Sequence, residues 1–494
     1  MTYTSTRDKN VLATSARAIV KGISSDGGLF VPTEIPAITS EEILEIGSLS
    51  YAKAAAKIIG RFLSDFLVSE LADITDSAYN SGKFETKDVI QINRLDESIY
   101  MLELWHGPTS AFKDMALQIL PHLLVASGKI QGENKKFLIL VATSGDTGKA
   151  ALDGFSDVPG TGIAVFYPEG GVSDIQRLQM ATQSGENVKV AAVNGSFDDA
   201  QAAVKQVFTD AELNKKLNDK GIVLSSANSI NWGRLVPQIV YYITAYARLI
   251  KDGEIVEGET VNICVPTGNF GNILAAYYAK QMGLPVGKLI CASNSNNILT
   301  DFINTGVYDR NRPFYQTISP SMDILISSNL ERLLFHLSDG NAEEVKDLYD
   351  QLDAYGRFEI SPELLEKLNT EFYADYASED KTAKTIKDTF VHYGYFADPH
   401  TTVALNVYDR YIKNTGDMTK TIIASTASPY KFSDSVLRSL GYTPSKDTFK
   451  NLLALSRLSN IHAPKALFEL HKKRNRFTKV IEKEDIPKFV LRLR

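Results

Sequence analysis

Lys113 is the residue whose neighbours best suit it to act as a nucleophilic amine. It stands in residues 104–117 (LWHGPTSAFKDMAL), after small and aromatic residues and just before an apolar, helix-like run. A lysine held among apolar groups loses solvation of its charged form, which lowers its pKa and frees the amine for Schiff-base formation and proton transfer. On this segment alone, a solvated lysine at a helix start remains an open reading. His106 in the same segment and His400 in residues 398–404 (DPHTTVA) are the imidazoles suited to acid–base work near neutrality. Both are read as structural, because Lys113 can move the protons and each ring has local backbone to bond.

Three further segments pair an apolar run with a turn rich in glycine or hydroxyl residues. In residues 261–280 (VNICVPTGNFGNILAAYYAK) a buried-strand run ends at Pro266, and Thr267, Gly268, Asn269, Phe270, Gly271 and Asn272 open a helix. The glycines allow close backbone approach, and a helix N-terminus offers unpaired N–H groups with partial positive charge, which suits a phosphate. A plain strand-to-helix turn is the alternative. Residues 137–152 (FLILVATSGDTGKAAL) contain Gly148-Lys149, but a P-loop needs Gly where Thr143 stands and Ser or Thr where Ala150 stands. What remains is a hydroxyl-rich turn, with Ser144, Asp146 and Thr147, able either to bind a carboxylate or to cap a helix. Residues 421–432 (TIIASTASPYKF) repeat the pattern more weakly, with Thr426 directly after the strand.

These turns require strands to carry them. Short β-rich runs at residues 137–142, 162–167, 188–193, 261–265, 288–292 and 421–425 mostly alternate with helix-patterned stretches. That alternation predicts an α/β fold of parallel-rich sheets flanked by helices. Ligands then bind beyond the strands' carboxyl ends, where the turns above lie. Helical spacing from 39 to 71 predicts a helical N-terminal unit, residues 1–95, ahead of an α/β region, residues 96–494, in two subdomains. Charged helical patterns at about 339–392, with no strand-like run, predict a helical insertion, and the basic residues 471–480 (HKKRNRFTKV) a solvated surface.

The 494 residues carry 53 Lys and Arg against 59 Asp and Glu, a net charge of −6, which gives no footprint for nucleic acid. The two cysteines, Cys264 and Cys291, lie far apart in apolar runs, so neither a disulfide framework nor a metal site is expected. Residues 1–10 lack the order of a secretory signal, and the apolar runs fall short of the roughly 18 to 20 residues a membrane span needs. A soluble, cytoplasmic protein is expected.

Taken together, HGPTSAFKD, PTGNFGN, ATSGDTG, the run SANSINWGR at residues 226–234 and STASPYKF resemble the threonine synthases. These are pyridoxal-phosphate enzymes of fold type II, related to the tryptophan synthase β-subunit. The opening YTSTRD and SDGGLFVP and the later DPHTTVA extend the resemblance over nearly the whole chain, closest to the longer bacterial and fungal type. The resemblance implies that Lys113 carries the cofactor as a Schiff base and then moves protons, and that Gly268, Asn269, Phe270, Gly271 and Asn272 cradle its phosphate. It implies Thr426 near the pyridine nitrogen, Ser144, Asp146 and Thr147 at the substrate's amino-acid end, and Asn228 and Arg234 on the leaving phosphate. A neutral hydroxyl at the pyridine nitrogen moderates the electron sink and favours elimination and replacement over transamination. Three positions depart from the family pattern: Asn272 stands where an acid is common, and Ser428 and Tyr430 replace the usual His and Ala.

The expected reaction converts O-phospho-L-homoserine and water to L-threonine and phosphate. A phospho-lyase giving 2-oxobutyrate, ammonia and phosphate is a second reading, and a non-catalytic binding protein on the same fold a third. The long type implies a monomer, with a dimer as the alternative, and neither nucleic-acid nor membrane partners.

Overall fold

The computed structural model describes residues 1–79 and 82–492. The expected N-terminal helices form at Ser40–Ser48, Tyr51–Phe62 and Val68–Tyr79. Thr39 and Glu42 close a reciprocal capping box on the first, and Ser50 caps the second by accepting from Lys53 N–H. Ala54, Ala55, Ile58, Ile59 and Phe62 give the second helix a buried face. A three-stranded antiparallel sheet precedes them, with Thr2–Ser5 between Leu12–Thr14 and Phe30–Pro32. Strands this short carry no readable alternation, so periodicity predicted only helices here.

Two sheets follow. In the first, Phe372–Tyr376, Val286–Ser293, Val261–Pro266, Thr421–Ser425, Ile99–Glu103 and Gln91–Arg94 lie in that order, parallel except for the last pair. This sheet therefore begins at Gln91, ahead of the boundary expected near residue 95. The second runs Val480–Glu482, Val188–Asn194, Thr161–Pro168, Lys136–Ala142 and Ile222–Ser225, all parallel. Central strands such as Thr161–Pro168 and Val261–Pro266 are buried at every position, as expected of parallel strands covered on both faces.

Both sheets contain a reversal. From Val261–Pro266 the first sheet grows outward through Val286–Ser293 on one side, while Thr421–Ser425 and Ile99–Glu103 fill the other. From Lys136–Ala142 the second grows through Thr161–Pro168, and Ile222–Ser225 returns to the opposite side. Such switch points open crevices at strand carboxyl ends, where the chemically distinctive loops emerge.

Helix Trp232–Lys251, buried over most of its length, joins the parts. Tyr3 packs edge-on against Trp232 with ring centroids 5.3 Å apart, and Asn231 Nδ2 donates to Ile19 O at 2.9 Å. The N-terminal unit thus braces the helix turn that carries Arg234.

The segment expected as a strandless helical insertion needs a correction. Residues 339–392 hold helices Ala342–Tyr355, Pro362–Glu371 and most of Glu379–Tyr393, but also strands Arg357–Glu359 and Phe372–Tyr376. The second strand follows its helix without a turn residue and forms the sheet's edge, so neither punctuation nor an apolar run marks it. The basic segment 471–480 is mostly exposed, as expected, although Arg476 Nη1 donates to the Gln183 and Gly185 carbonyls and Val480 opens an edge strand. Cys264 and Cys291 are buried free thiols, and no described helix is long and apolar enough to cross a membrane.

Candidate active site

The Lys113 loop is built around its neighbour Asp114. The Asp114 carboxylate accepts from Thr109 N at 2.8 Å and from Thr109 Oγ1 at 2.7 Å. Gly107 is required beside it, since a Cβ there would lie 2.5 Å from Asp114 Oδ2. Burial first, and then the nearby Asp153, push the Asp114 carboxyl up to about 7. Phe112 N donates to Thr426 O at 2.8 Å and Ala111 bridges to Ala427, so the loops after Ile99–Glu103 and Thr421–Ser425 are stitched together. Lys113 Nζ donates to Ser321 Oγ at 3.1 Å. Desolvation lowers its amine to about 8, with Asp146 opposing the shift and the Lys431 and Arg234 cations adding to it.

Two carbonyls of the glycine loop are taken up by the segment that follows the Ser321 turn. Ser327 Oγ donates to Gly268 O at 2.7 Å, and Asn329 N and Nδ2 donate to Asn269 O at 3.1 and 3.0 Å. Phe270, at φ 62°, takes the left-handed turn into helix Gly271–Gln281, whose first N–H groups have no intrahelical acceptor. A Cβ on Gly268 would sit 2.8 Å from Ser321 O, so the loop admits close approach only as glycine. The Asn272 amide oxygen accepts from the Tyr241 and Tyr242 hydroxyls, each at 2.6 Å, which leaves its buried Nδ2 donor without a partner.

From the second sheet, Thr143 Oγ1 accepts from Gly145 N and Gly148 N at 3.0 Å and closes the turn. Ser144 is exposed on it and Thr147 half-buried. Asp146 is buried and already engaged, by Lys431 Nζ at 2.6 Å and Gln176 Nε2 at 3.0 Å. Burial alone would raise its carboxyl, but the Lys431 and Lys113 ammonium groups hold it well below the usual range.

Arg234 lies in the first turn of the long helix. Its Nη1 donates to Ala227 O at 2.8 Å, its Nε is buried without a partner, and no ion pair neutralises it among the described residues. Desolvation lowers its guanidinium to about 10. Asn228 is an exposed turn residue whose carbonyl accepts from Asn231 N at 3.1 Å. Asp146 and Arg234 are thus each within electrostatic reach of Lys113, with Thr426 adjoining the lysine loop.

Two residues escaped the sequence reading. Lys431 stands in the STASPYKF motif, yet nothing in its neighbours marks it as buried, and it bridges Asp146 and the Thr109 carbonyl. Ser321 lies in a loop with no motif. The histidines differ from expectation as well: His106 Nε2 pairs with Glu103 Oε2 at 2.7 Å, and His400 spans two segments. Of the departures, Tyr430 points its hydroxyl at Ile461 O, 2.7 Å away, while Ser428 Oγ is buried without a partner. Lys431 and Lys113 face the low-pKa carboxylate of Asp146, and Arg234 in turn faces Lys113, an excess of cations that suits anionic ligands.

Family models described as Threonine synthase N terminus, Pyridoxal-phosphate dependent enzyme and Threonine synthase, C-terminal match residues 2–79, 87–424 and 401–490. Human threonine synthase-like 1 is 41% identical over 450 residues, covering 89% of this chain and 60% of that protein, so the chain spans about 60% of this relative's length. The threonine synthase of Schizosaccharomyces pombe is 37% identical over 465 residues, 88% of each chain. The solved structure of pyridoxal-phosphate-bound threonine synthase from Brucella melitensis superposes with a TM-score of 0.89 at 35% identity, covering 99% of both chains.

The residues present fit that cofactor: a half-buried lysine amine of lowered pKa, a glycine loop opening a helix N-terminus, a buried unpartnered Asn272 donor and a guanidinium without an ion pair among the described residues. With a site of this chemistry and matches that run from its first strand to its last helix, the chain belongs to the threonine synthase family of pyridoxal-phosphate-dependent enzymes.

Proposed function

We propose that the protein is a threonine synthase, converting O-phospho-L-homoserine and water to L-threonine and phosphate with pyridoxal phosphate carried on Lys113. The observation that carries this reading is the unneutralised, buried Arg234 guanidinium within electrostatic reach of the Lys113 amine. Gly268, Asn269, Phe270, Gly271 and Asn272 would hold the cofactor phosphate and Thr426 would adjoin the ring nitrogen. When bound, the cofactor supplies an electron sink for charge developing on the substrate.

The chain's own groups do the rest. Lys113 takes and returns protons at the substrate's Cα and Cβ, a task suited to an amine whose pKa burial has brought toward neutrality. Arg234, with Asn228, takes the phosphate leaving from Cγ; a planar guanidinium in a desolvated site binds such a dianion in a fixed geometry. Ser144 and Thr147 offer hydroxyls to the substrate carboxylate, and Asp146 holds Lys431 as the neighbouring cation. A cytoplasmic location belongs to the same reading, supported by two buried thiols that form no disulfide.

Only the unprotonated amine reacts with the cofactor aldehyde. The rate at which cofactor-free protein gains its absorption band should therefore rise with pH and reach half its plateau near 8, the value to which Lys113 is lowered. A stopped-flow pH series checks this; a midpoint in the ordinary lysine range, about 10.4, would show an unperturbed amine.

The function itself is tested by incubating loaded protein with O-phospho-L-homoserine and identifying every product. Threonine appearing mole for mole with phosphate is the expected result. Phosphate with 2-oxobutyrate and ammonia would make the protein a phospho-lyase, and a protein that stays colourless with the cofactor would be a binding protein instead.

A further inference from the structure

The Lys113 amine is held from a distant part of the chain. Its acceptor, Ser321 Oγ at 3.1 Å, is 208 residues away in sequence and lies in the 3₁₀ turn Pro320–Met322. That turn is pinned on three sides. Ser321 N donates to His400 Nε2 at 3.1 Å, and the His400 Nδ1 proton goes to Asp398 Oδ1 at 2.7 Å. Asp323, just past the turn, accepts from Thr317 Oγ1, Asn294 Nδ2 and Asn296 Nδ2. On the remaining side Ser321 O lies against Gly268, where any Cβ would collide with it.

The chemistry of this chain has one direction. A carboxylate only accepts, so Asp398 fixes the proton on His400 Nδ1 and leaves the Nε2 lone pair for the Ser321 amide. Both ring nitrogens are then committed to protein groups, which removes His400 from proton transfer with a ligand. Ser321 in turn needs only one lone pair to receive the lysine, so the amine donates one N–H and keeps its own lone pair free.

We propose that Ser321 is a positioning residue for Lys113, receiving the amine whenever it is not joined to the cofactor and fixing the direction of its lone pair, while Asp398 and His400 hold Ser321 in place. This rests on the reading of Lys113 as the cofactor-bearing amine. Ser321 belongs to a loop without a motif, and its role comes only from this relay of contacts between Asp398 and Lys113.

The test uses full-length protein, cofactor-free and reloaded, as Ser321→Ala, Ser321→Thr, His400→Leu and His400→Gln. Ser321→Ala should bind pyridoxal phosphate and show its absorption band, with KM within about twofold and kcat lower by roughly tenfold to a hundredfold, the scale of a misdirected reacting group. Its cofactor-incorporation midpoint should fall below the wild-type pH, because the ammonium form loses an acceptor while Asp146, Lys431 and Arg234 still face it. Ser321→Thr, which keeps the hydroxyl, should recover most of the rate. His400→Leu should lower kcat similarly, and adding Ser321→Ala to it should cost little more, since both act through one contact. His400→Gln, whose amide oxygen can accept from the Ser321 amide, should retain most activity.

Wild-type kcat and an unshifted incorporation midpoint in Ser321→Ala would overturn the proposal. Equal losses in Ser321→Thr and Ser321→Ala would overturn it too, by reducing Ser321 to a packing residue. A Lys113→Ala protein that kept the band would overturn the underlying reading instead, and the band itself tells the two failures apart.

Discussion

Lys113→Ala protein should stay colourless after incubation with pyridoxal phosphate and lose turnover by about 10³-fold or more, the combined loss of the cofactor's anchor and the proton-moving group. Lys431, the nearest in charge terms, is bound at 2.6 Å to the Asp146 carboxylate and at 3.1 Å to the Thr109 carbonyl, so its nitrogen is committed to acceptors. Lys113 has no carboxylate at ion-pair distance among the described residues; a serine hydroxyl receives it, and burial works against its charge. Two lysines near one site thus take opposite roles, one as a reactive amine and one as a fixed cation. Because the replaced side chain makes no ion pair among the described residues and Lys431 still bonds Asp146 when it is gone, thermal unfolding should move little, within about 1 kcal/mol of wild type. An absorption scan with a melting curve on the same sample separates lost chemistry from lost folding.

Lys431→Met should be the most destabilising change at the site. It leaves the Asp146 carboxylate buried with only Gln176 to bond, and removing one partner of a buried pair costs about 3 to 5 kcal/mol. Asp146→Asn in the same background should restore most of that loss, since no charge then remains to be paired. The pH dependence has a definite sign. In the wild type the Asp146 pKa is depressed, so its contribution is present above the usual carboxylate range, near 4, and is lost only as pH falls through the depressed value. Without Lys431 the carboxyl loses its largest lowering partner, so burial, still opposed by Lys113 and Gln176, lifts its pKa above the wild-type value and the ionised form is less well held at neutral pH. The gap between variant and wild-type urea midpoints should therefore be wide near pH 7 and should close as pH falls below about 4 toward the depressed wild-type value. A gap independent of pH would mean that packing, not the ion pair, is what Lys431 provides.

The sequence reading succeeded where one kind of signal was long enough to read. The runs at 137–142, 162–167, 188–193 and 421–425 fall within strands because strands covered on both faces are mostly apolar. Phe372–Tyr376 and Val480–Glu482 are edge strands with charged residues in or beside them, and no alternation survives at that length. The chemistry-bearing turns were legible because glycine, hydroxyl and lysine types concentrate where strands end. Their mutual relations were not. Asp146 reads from sequence as part of a hydroxyl-rich turn at a helix start that faces the substrate's amino-acid end, and only the fold brings Lys431 onto it. Asn228 and Arg234 share one motif, yet the first is exposed and the second buried, a difference set by the long helix turning Arg234 inward beneath the Ala227 carbonyl. Ser321 has no local signal at all, because its part depends on contacts with Lys113 and His400, both distant in sequence.

The central claim is that this site replaces phosphate at Cγ with a hydroxyl at Cβ. The most direct measurement is to run the reaction on O-phospho-L-homoserine in heavy-oxygen water and locate the label by mass spectrometry. The account predicts threonine carrying one heavy oxygen in its hydroxyl and phosphate carrying none, since the carbon–oxygen bond breaks and the bridging oxygen leaves with phosphorus. Labelled phosphate together with unlabelled homoserine would show hydrolysis at phosphorus and would contradict it.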